Sequence, residues 1–166
     1  MKITYLHGLE SNNLGIKNDW LKTYSELFDP YINYKESKVY QSLKKQIADF
    51  KTDIIIGSSM GGFFGYEIAK ELNINAILFN PALHSRSMTP DMTGYQKGQY
   101  KPIIYFVFGQ NDEVINPTDT IKLINNDEYK EKDYIILNHG HQTPYEIFKQ
   151  EIINFTENKY LIPTKY

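Results

Sequence analysis

The hydrophobic positions of this chain fall into short apolar runs, separated by stretches in which apolar residues recur every three or four positions. Five runs read as strands, at residues 3–6, 53–57, 75–79, 102–108 and 133–137. Each is nearly continuous rather than alternating, the pattern of central parallel strands covered on both faces. A weaker sixth candidate lies at residues 31–34. Between the runs, Trp20, Tyr24 and Leu27 recur at helical spacing, as do Val39, Leu43, Ile47 and Phe50, and later Phe64, Ile68 and Leu72. Asn116-Pro117 reads as an N-cap with proline in the first turn, leading to Ile121 and Ile124. Thr143-Pro144-Tyr145-Glu146 reads as a capping box, with proline at the first helical position, ahead of Phe148, Ile152 and Phe155. Strand and helix alternate along the chain. The expectation is an α/β fold: a three-layer α/β/α sandwich with a mostly parallel sheet of five or six strands.

One segment breaks the alternation. Residues 84–101 hold His84, Pro90, Gly94, Tyr95, Gly98 and Tyr100 with little apolar periodicity. The stretch is longer than most loops inside compact domains, so we expect an excursion that walls an active site. There is no internal repeat and no interdomain linker. The chain reads as one domain over residues 1–166, with a peripheral tail at 158–166.

Composition narrows the function classes. The net charge is -2, with both signs spread along the chain, so no nucleic-acid footprint or polybasic membrane patch is expected. There is no cysteine, which removes disulfides, metal thiolates and a thiol nucleophile. No apolar stretch approaches the ~20 residues that span a bilayer. Met1-Lys2 runs straight into the first strand, so a signal peptide is not expected and a cytoplasmic location follows by default.

The chemistry is concentrated at strand ends. After the run 53–57 comes Gly57-Ser58-Ser59-Met60-Gly61-Gly62, followed by a helical pattern. Strand, G-x-S-x-G, helix is the signature of a nucleophile elbow. The serine must sit at the tip of a tight turn, where its neighbours two residues away approach so closely that only small side chains fit. A serine hydroxyl needs a base to take its proton, and the base needs an orienting carboxylate. In the order serine, acid, histidine, Asp112 follows the fourth run in Gly109-Gln110-Asn111-Asp112-Glu113-Val114, and His141 follows the fifth in Asn138-His139-Gly140-His141. Glu113 is a neighbouring loop charge, Asp133 lies at the wrong end of its run, and Asp91 is a distant alternative acid. His139 is the alternative base. The expected oxyanion donors are the backbone N–H groups of Met60, just after the nucleophile, and of Leu9, after the turn at His7-Gly8. His7, Gly8, His84 and Tyr95 are candidate pocket residues.

These segments together resemble the α/β-hydrolase superfamily, and in particular the short YqiA-like esterases. The resemblance rests on Tyr5-Leu6-His7-Gly8-Leu9-Glu10-Ser11-Asn12, the Gly57–Gly62 elbow, Asn80-Pro81-Ala82-Leu83, Gly109 to Val114, and Gly140-His141. It runs from residue 1 to about residue 155. It implies a serine esterase or thioesterase working through an acyl-enzyme on a small-molecule ester or thioester, with Ser59 as nucleophile, His141 as base and acid, and Asp112 as orienter. No metal or organic cofactor is called for. Two rival readings differ in class. A catalytically silent binding protein on the same scaffold would keep the fold without turnover. A phosphate-cradling nucleotide domain would need G-x-x-x-x-G-K-[ST] or G-x-G-x-x-G, and neither occurs.

Overall fold

The structure is a computed structural model, and it describes residues 1–126 and 132–157. The expected tail at 158–166 lies outside the described residues. Six strands, β1 (Lys2–Leu6), β2 (Glu26–Phe28), β3 (Ile54–Ser58), β4 (Asn75–Phe79), β5 (Ile104–Gly109) and β6 (Lys132–Leu137), form one sheet in the order β2-β1-β3-β4-β5-β6. Every pairing is parallel. Among the described residues four helices connect strands, α1 (Ile16–Tyr24), α2 (Val39–Phe50), α3 (Met60–Leu72) and α4 (Pro117–Asn126), and α5 (Tyr145–Thr156) follows β6.

The continuous apolar runs are explained by two cores. Successive strand residues point to opposite faces. Ile3 and Tyr5, Ile54 and Ile56, Ile77 and Phe79, and Tyr105 and Val107 pack on one face with Leu21 of α1 and Phe148, Ile152 and Phe155 of α5. Leu6, Ile55, Ala76, Leu78, Ile104, Phe106 and Phe108 pack on the other with α2 and α3 and with Ile124 of α4. Strands with no solvated face have no polar positions to alternate with.

The chain leaves β1 toward β2 at one edge, returns through α2, and then builds outward on the other side of β1 from β3 onward. That reversal opens a crevice between the C-terminal ends of β1 and β3, where ligands of open α/β sheets bind. The loops that carry the candidate residues emerge at this edge.

The structure corrects three expectations about these elements. The weak strand is Glu26–Phe28, not residues 31–34, so Leu27 belongs to a strand and α1 ends at Tyr24. Residues 31–34 instead form a loop over His7: the Ile32 N–H donates to His7 Nε2 at 2.9 Å, and the Tyr34 hydroxyl donates to the His7 carbonyl at 2.6 Å. The capping box at Thr143 does not form. Pro144 is the N-cap, without a side-chain capping bond, and α5 begins at Tyr145. At α4 the expected start holds, with the Thr118 N–H donating to Asn116 Oδ1 at 2.9 Å.

The segment 84–101 has no regular secondary structure and mostly does not wall a pocket. Met88 and Met92 pack against the core beside α2 and α3. Tyr95 lies edge-on to Tyr40, and the Tyr100 N–H donates to the Lys70 carbonyl. Asp91 Oδ2 accepts from the Lys38 N–H at 2.8 Å and Oδ1 from the Thr93 N–H at 2.8 Å. The Thr93 side chain, together with these amide hydrogen bonds, holds its carboxyl at about 2, below the ordinary range. Asp91 therefore pins the segment to the start of α2 and takes no part in the site. No helix among the described residues is long and apolar enough to cross a membrane.

Candidate active site

Ser59 joins the end of β3 to the start of α3. Its backbone has φ 53° and ψ -115°, a strained conformation for a residue with a side chain. The strain is held by hydrogen bonds on both sides: the Ser59 N–H donates to the Phe79 carbonyl at 3.0 Å, and the Ser59 carbonyl accepts from the Ala82 N–H at 3.0 Å. Glycine is required around it by space. A Cβ on Gly57 would lie 2.5 Å from the Gly61 carbonyl oxygen, and one on Gly61 would lie 2.0 Å from the Leu6 carbonyl oxygen. Ser59 occupies the N-cap position of α3, yet its hydroxyl makes no capping bond. The hydroxyl is left for another partner.

That partner is His141. Ser59 Oγ lies 3.0 Å from His141 Nε2, and His141 Nδ1 lies 2.8 Å from Asp112 Oδ2. The carboxylate can only accept at neutral pH, so Nδ1 carries the proton and Nε2 is free to accept from the serine. Asp112 is held from the other side. Its Oδ1 accepts from the Val114 and Ile115 N–H groups, each at 2.9 Å. Burial pushes the Asp112 carboxyl up, but the bonds from His141, Ile115 and Val114 outweigh it and leave it below the ordinary carboxylate value. The Asp112 side chain is 1% exposed and that of His141 is 24% exposed, so the carboxylate is sealed while the imidazole faces the opening.

The opening is a cavity of about 810 Å³ lined by Gly8, Leu9, Ser59, Met60 and His141, a size within the usual ~300–1,000 Å³ range of small-molecule sites. Gly8 is close to Ser59: a Cβ there would lie 3.4 Å from Ser59 Cβ. Met60 opens α3, so its N–H has no acceptor within the helix. The rest of the wall comes from a segment that sequence reasoning missed, Glu10 to Asn18, with Leu14 and Ile16 presenting apolar side chains at the rim. Two apolar residues flanking Gly15 just ahead of a helix were the available signal. Lys17, also in the wall, donates to the Thr143 carbonyl and lies over the Phe148 ring, and burial lowers its pKa.

The other candidates stand apart. Of the segment 84–101, only Ser85, Arg86 and Ser87 reach the cavity. His84 is outside it, its Nδ1 2.8 Å from Thr120 Oγ1. Tyr95 is outside it on α2. His7 is buried beneath the crevice. Its Nδ1–H donates to the Gly8 carbonyl at 2.7 Å while Nε2 accepts from Ile32, and burial lowers its pKa. His139 is also buried; its Nδ1–H donates to the Gly140 carbonyl at 2.7 Å, and its Nε2 has no hydrogen-bond partner among the described residues. No group of three or more His, Cys, Asp or Glu side chains that could hold a metal ion occurs among the described residues.

A parallel sheet with this strand order, an elbow after β3 and a site at the C-terminal edge define an α/β-hydrolase fold. Solved structures agree. The chain is similar to Est1E from Butyrivibrio proteoclasticus, with a TM-score of 0.72 and 14% identity over 94% of this chain and 86% of that one. It is similar to a putative hydrolase of the alpha/beta superfamily from Xanthomonas campestris, with a TM-score of 0.67 and 15% identity over 91% and 96%. It is also similar to a monoacylglycerol lipase from Paleococcus ferrophilus, with a TM-score of 0.69 and 13% identity over 93% of each chain. Residues 2–144 match the profile of the family described as Uncharacterised protein family (UPF0227), and the chain belongs to that family. No curated protein sequence matches it.

Proposed function

We propose that this protein is a serine hydrolase that cleaves carboxyl esters or thioesters through an acyl-enzyme. The observation that supports the reading is the hydrogen-bonded series Ser59–His141–Asp112, open to a cavity on the hydroxyl side only. In this mechanism His141 Nε2 takes the Ser59 proton as Oγ attacks the acyl carbon. The tetrahedral oxyanion is received by the Leu9 and Met60 amides. The imidazolium, stabilised by Asp112, then gives its proton to the leaving alcohol or thiol as the bond to the acyl carbon breaks. Water enters, loses a proton to the same nitrogen and releases the acid, which restores Ser59. The name of one similar structure, a monoacylglycerol lipase, favours ester substrates over amides. The test is hydrolysis of p-nitrophenyl esters of graded acyl length by wild type and Ser59→Ala. Turnover that disappears with the hydroxyl supports the reading. Turnover that survives, or a folded wild type inert on the whole series, overturns it.

A further inference from the structure

Three separate loops carry the nucleophile, base and acid, so something must set their mutual spacing. Asn80, directly after β4, bridges the base and acid loops, and its neighbours in the chain hold the elbow. Its side chain makes three hydrogen bonds although the residue is only 2% exposed. Oδ1 accepts from the Gly109 N–H at 2.7 Å, where β5 ends and the Asp112 loop begins. Nδ2 donates to the Gly140 carbonyl at 3.2 Å and to the His141 carbonyl at 2.8 Å, on the loop that presents the imidazole. The turn that carries Asn80 also grips the elbow, since Phe79 accepts from the Ser59 N–H and Ala82 donates to the Ser59 carbonyl. The partners fix the orientation of the amide, because one N–H needs an acceptor and two carbonyls need donors.

We propose that Asn80 is the positioning residue of the site: its amide holds the acid loop and the base loop at the distance from the elbow that the relay requires. The proposal rests on the serine-hydrolase reading above. No other side chain of similar size offers the same fit. Aspartate keeps the acceptor for Gly109 but sets a carboxylate oxygen against two carbonyls. Leucine fills the volume and leaves an N–H and two carbonyls without these partners, at a cost. The backbone adds a second constraint. Asn80 has φ 44°, a left-handed conformation that asparagine, aspartate and glycine adopt more readily than most residues. Asn80→Asp and Asn80→Gly therefore both tolerate the turn while removing the bridge.

The experiment measures kcat, KM and the melting temperature for wild type and both variants on p-nitrophenyl butyrate, with Ser59→Ala alongside. A displacement of about 1 Å in a reacting group costs roughly 10²-fold. Both variants are expected to melt cooperatively and to lose kcat by about 30- to 100-fold. KM should stay within about threefold, because the 10–18 wall is untouched. Folded variants that keep kcat within about threefold of wild type overturn the assignment. So does a kcat loss accompanied by an equal rise in KM, which would mark a collapsed cavity. A variant with no cooperative melt overturns it as well, since Asn80 would then support the fold as a whole. Ser59→Ala separates the two claims. If it is inactive and the Asn80 variants are not impaired, only the positioning role falls; if it stays active, the hydrolase reading falls first and this one with it.

Discussion

Gly61→Ala is the substitution whose effect the structure fixes most tightly. The added Cβ would lie 2.0 Å from the Leu6 carbonyl oxygen, 2.5 Å from the Leu6 carbonyl carbon and 2.6 Å from the His7 carbonyl oxygen. An ordinary contact begins at 3.4 Å, so the shortest approach falls 1.4 Å short. All three atoms are backbone at the end of β1, where Leu6 pairs with Gly57 in the ladder, so none can swing aside. The N-terminus of α3 must back away from β1, which moves Ser59 and the Met60 amide relative to Leu9. Overpacking of this kind costs about 3 kcal/mol, the upper part of the usual range. At ~2–4 °C per kcal/mol for a chain of this size, the melting temperature falls by about 6–12 °C. The accompanying ~1 Å displacement of the nucleophile lowers kcat/KM at least ~100-fold. Gly65→Ala, one turn along, is the control. Its Cβ would meet Leu78 Cδ2 at 3.0 Å and Ile55 Cγ2 at 3.1 Å, both side-chain methyls that can yield. Helix propensity gains up to ~1 kcal/mol there, so stability and kcat/KM stay close to wild type. Circular-dichroism melts and p-nitrophenyl butyrate hydrolysis report both quantities. A Gly61→Ala protein with wild-type melting temperature and kcat/KM would refute the argument that this glycine exists for close backbone approach.

His141→Ala lowers kcat by about 10²–10⁴-fold, the span expected for loss of a general base, whereas His84→Ala, whose ring bonds to Thr120 outside the cavity, leaves kcat within about twofold; equal losses would contradict the base assignment. Asp112→Asn keeps the fold and lowers kcat by a similar factor, because the amide can donate to Nδ1 and so stabilise the wrong tautomer. The same variant carries a stability signature. The folded Asp112 carboxyl is held below its unfolded value of about 3.9. Its ionised form therefore stabilises the folded state above roughly pH 4, and that contribution is lost as pH falls through the lower folded value. The melting-temperature gap between wild type and Asp112→Asn should narrow below about pH 4; a gap that widens on acidification would contradict the bonding assigned to Asp112.

Much of the fold was legible in the sequence because four of its strands, β1, β3, β4 and β5, are buried on both faces and carry few polar positions. The edge strand β6 was legible from the apolar run 134–137, although Tyr134 and Ile136 are exposed. The short edge strand Glu26–Phe28 was not legible: Glu26 is exposed and Leu27 and Phe28 only half-buried, so its pattern is too brief to separate from the helix before it. Ser59 was marked by local chemistry, since the elbow needs glycines at fixed offsets and those are a sequence property. Asp112 and His141 were singled out by their place after strands. What escaped was set by contacts between distant segments. His7 and His139 are strand-end histidines followed by glycine, as a catalytic residue could be, yet both fold their Nδ1–H onto the next carbonyl. The segment 84–101 reads as a wall of the active site and is mostly a strap, because Asp91, Met88 and Met92 find partners beside α2 and α3. The bridging role of Asn80 depends on loops about 29 and 60 residues away.

The central claim is that Ser59 carries an activated hydroxyl at the mouth of the cavity, and covalent labelling tests it most directly. Folded wild-type protein is incubated with a fluorophosphonate probe, digested, and the modified peptide located by mass spectrometry. The account predicts stoichiometric phosphonylation of Ser59, slowed strongly in His141→Ala and absent in Ser59→Ala. A wild type that remains unlabelled, or an adduct on any other residue, would contradict it.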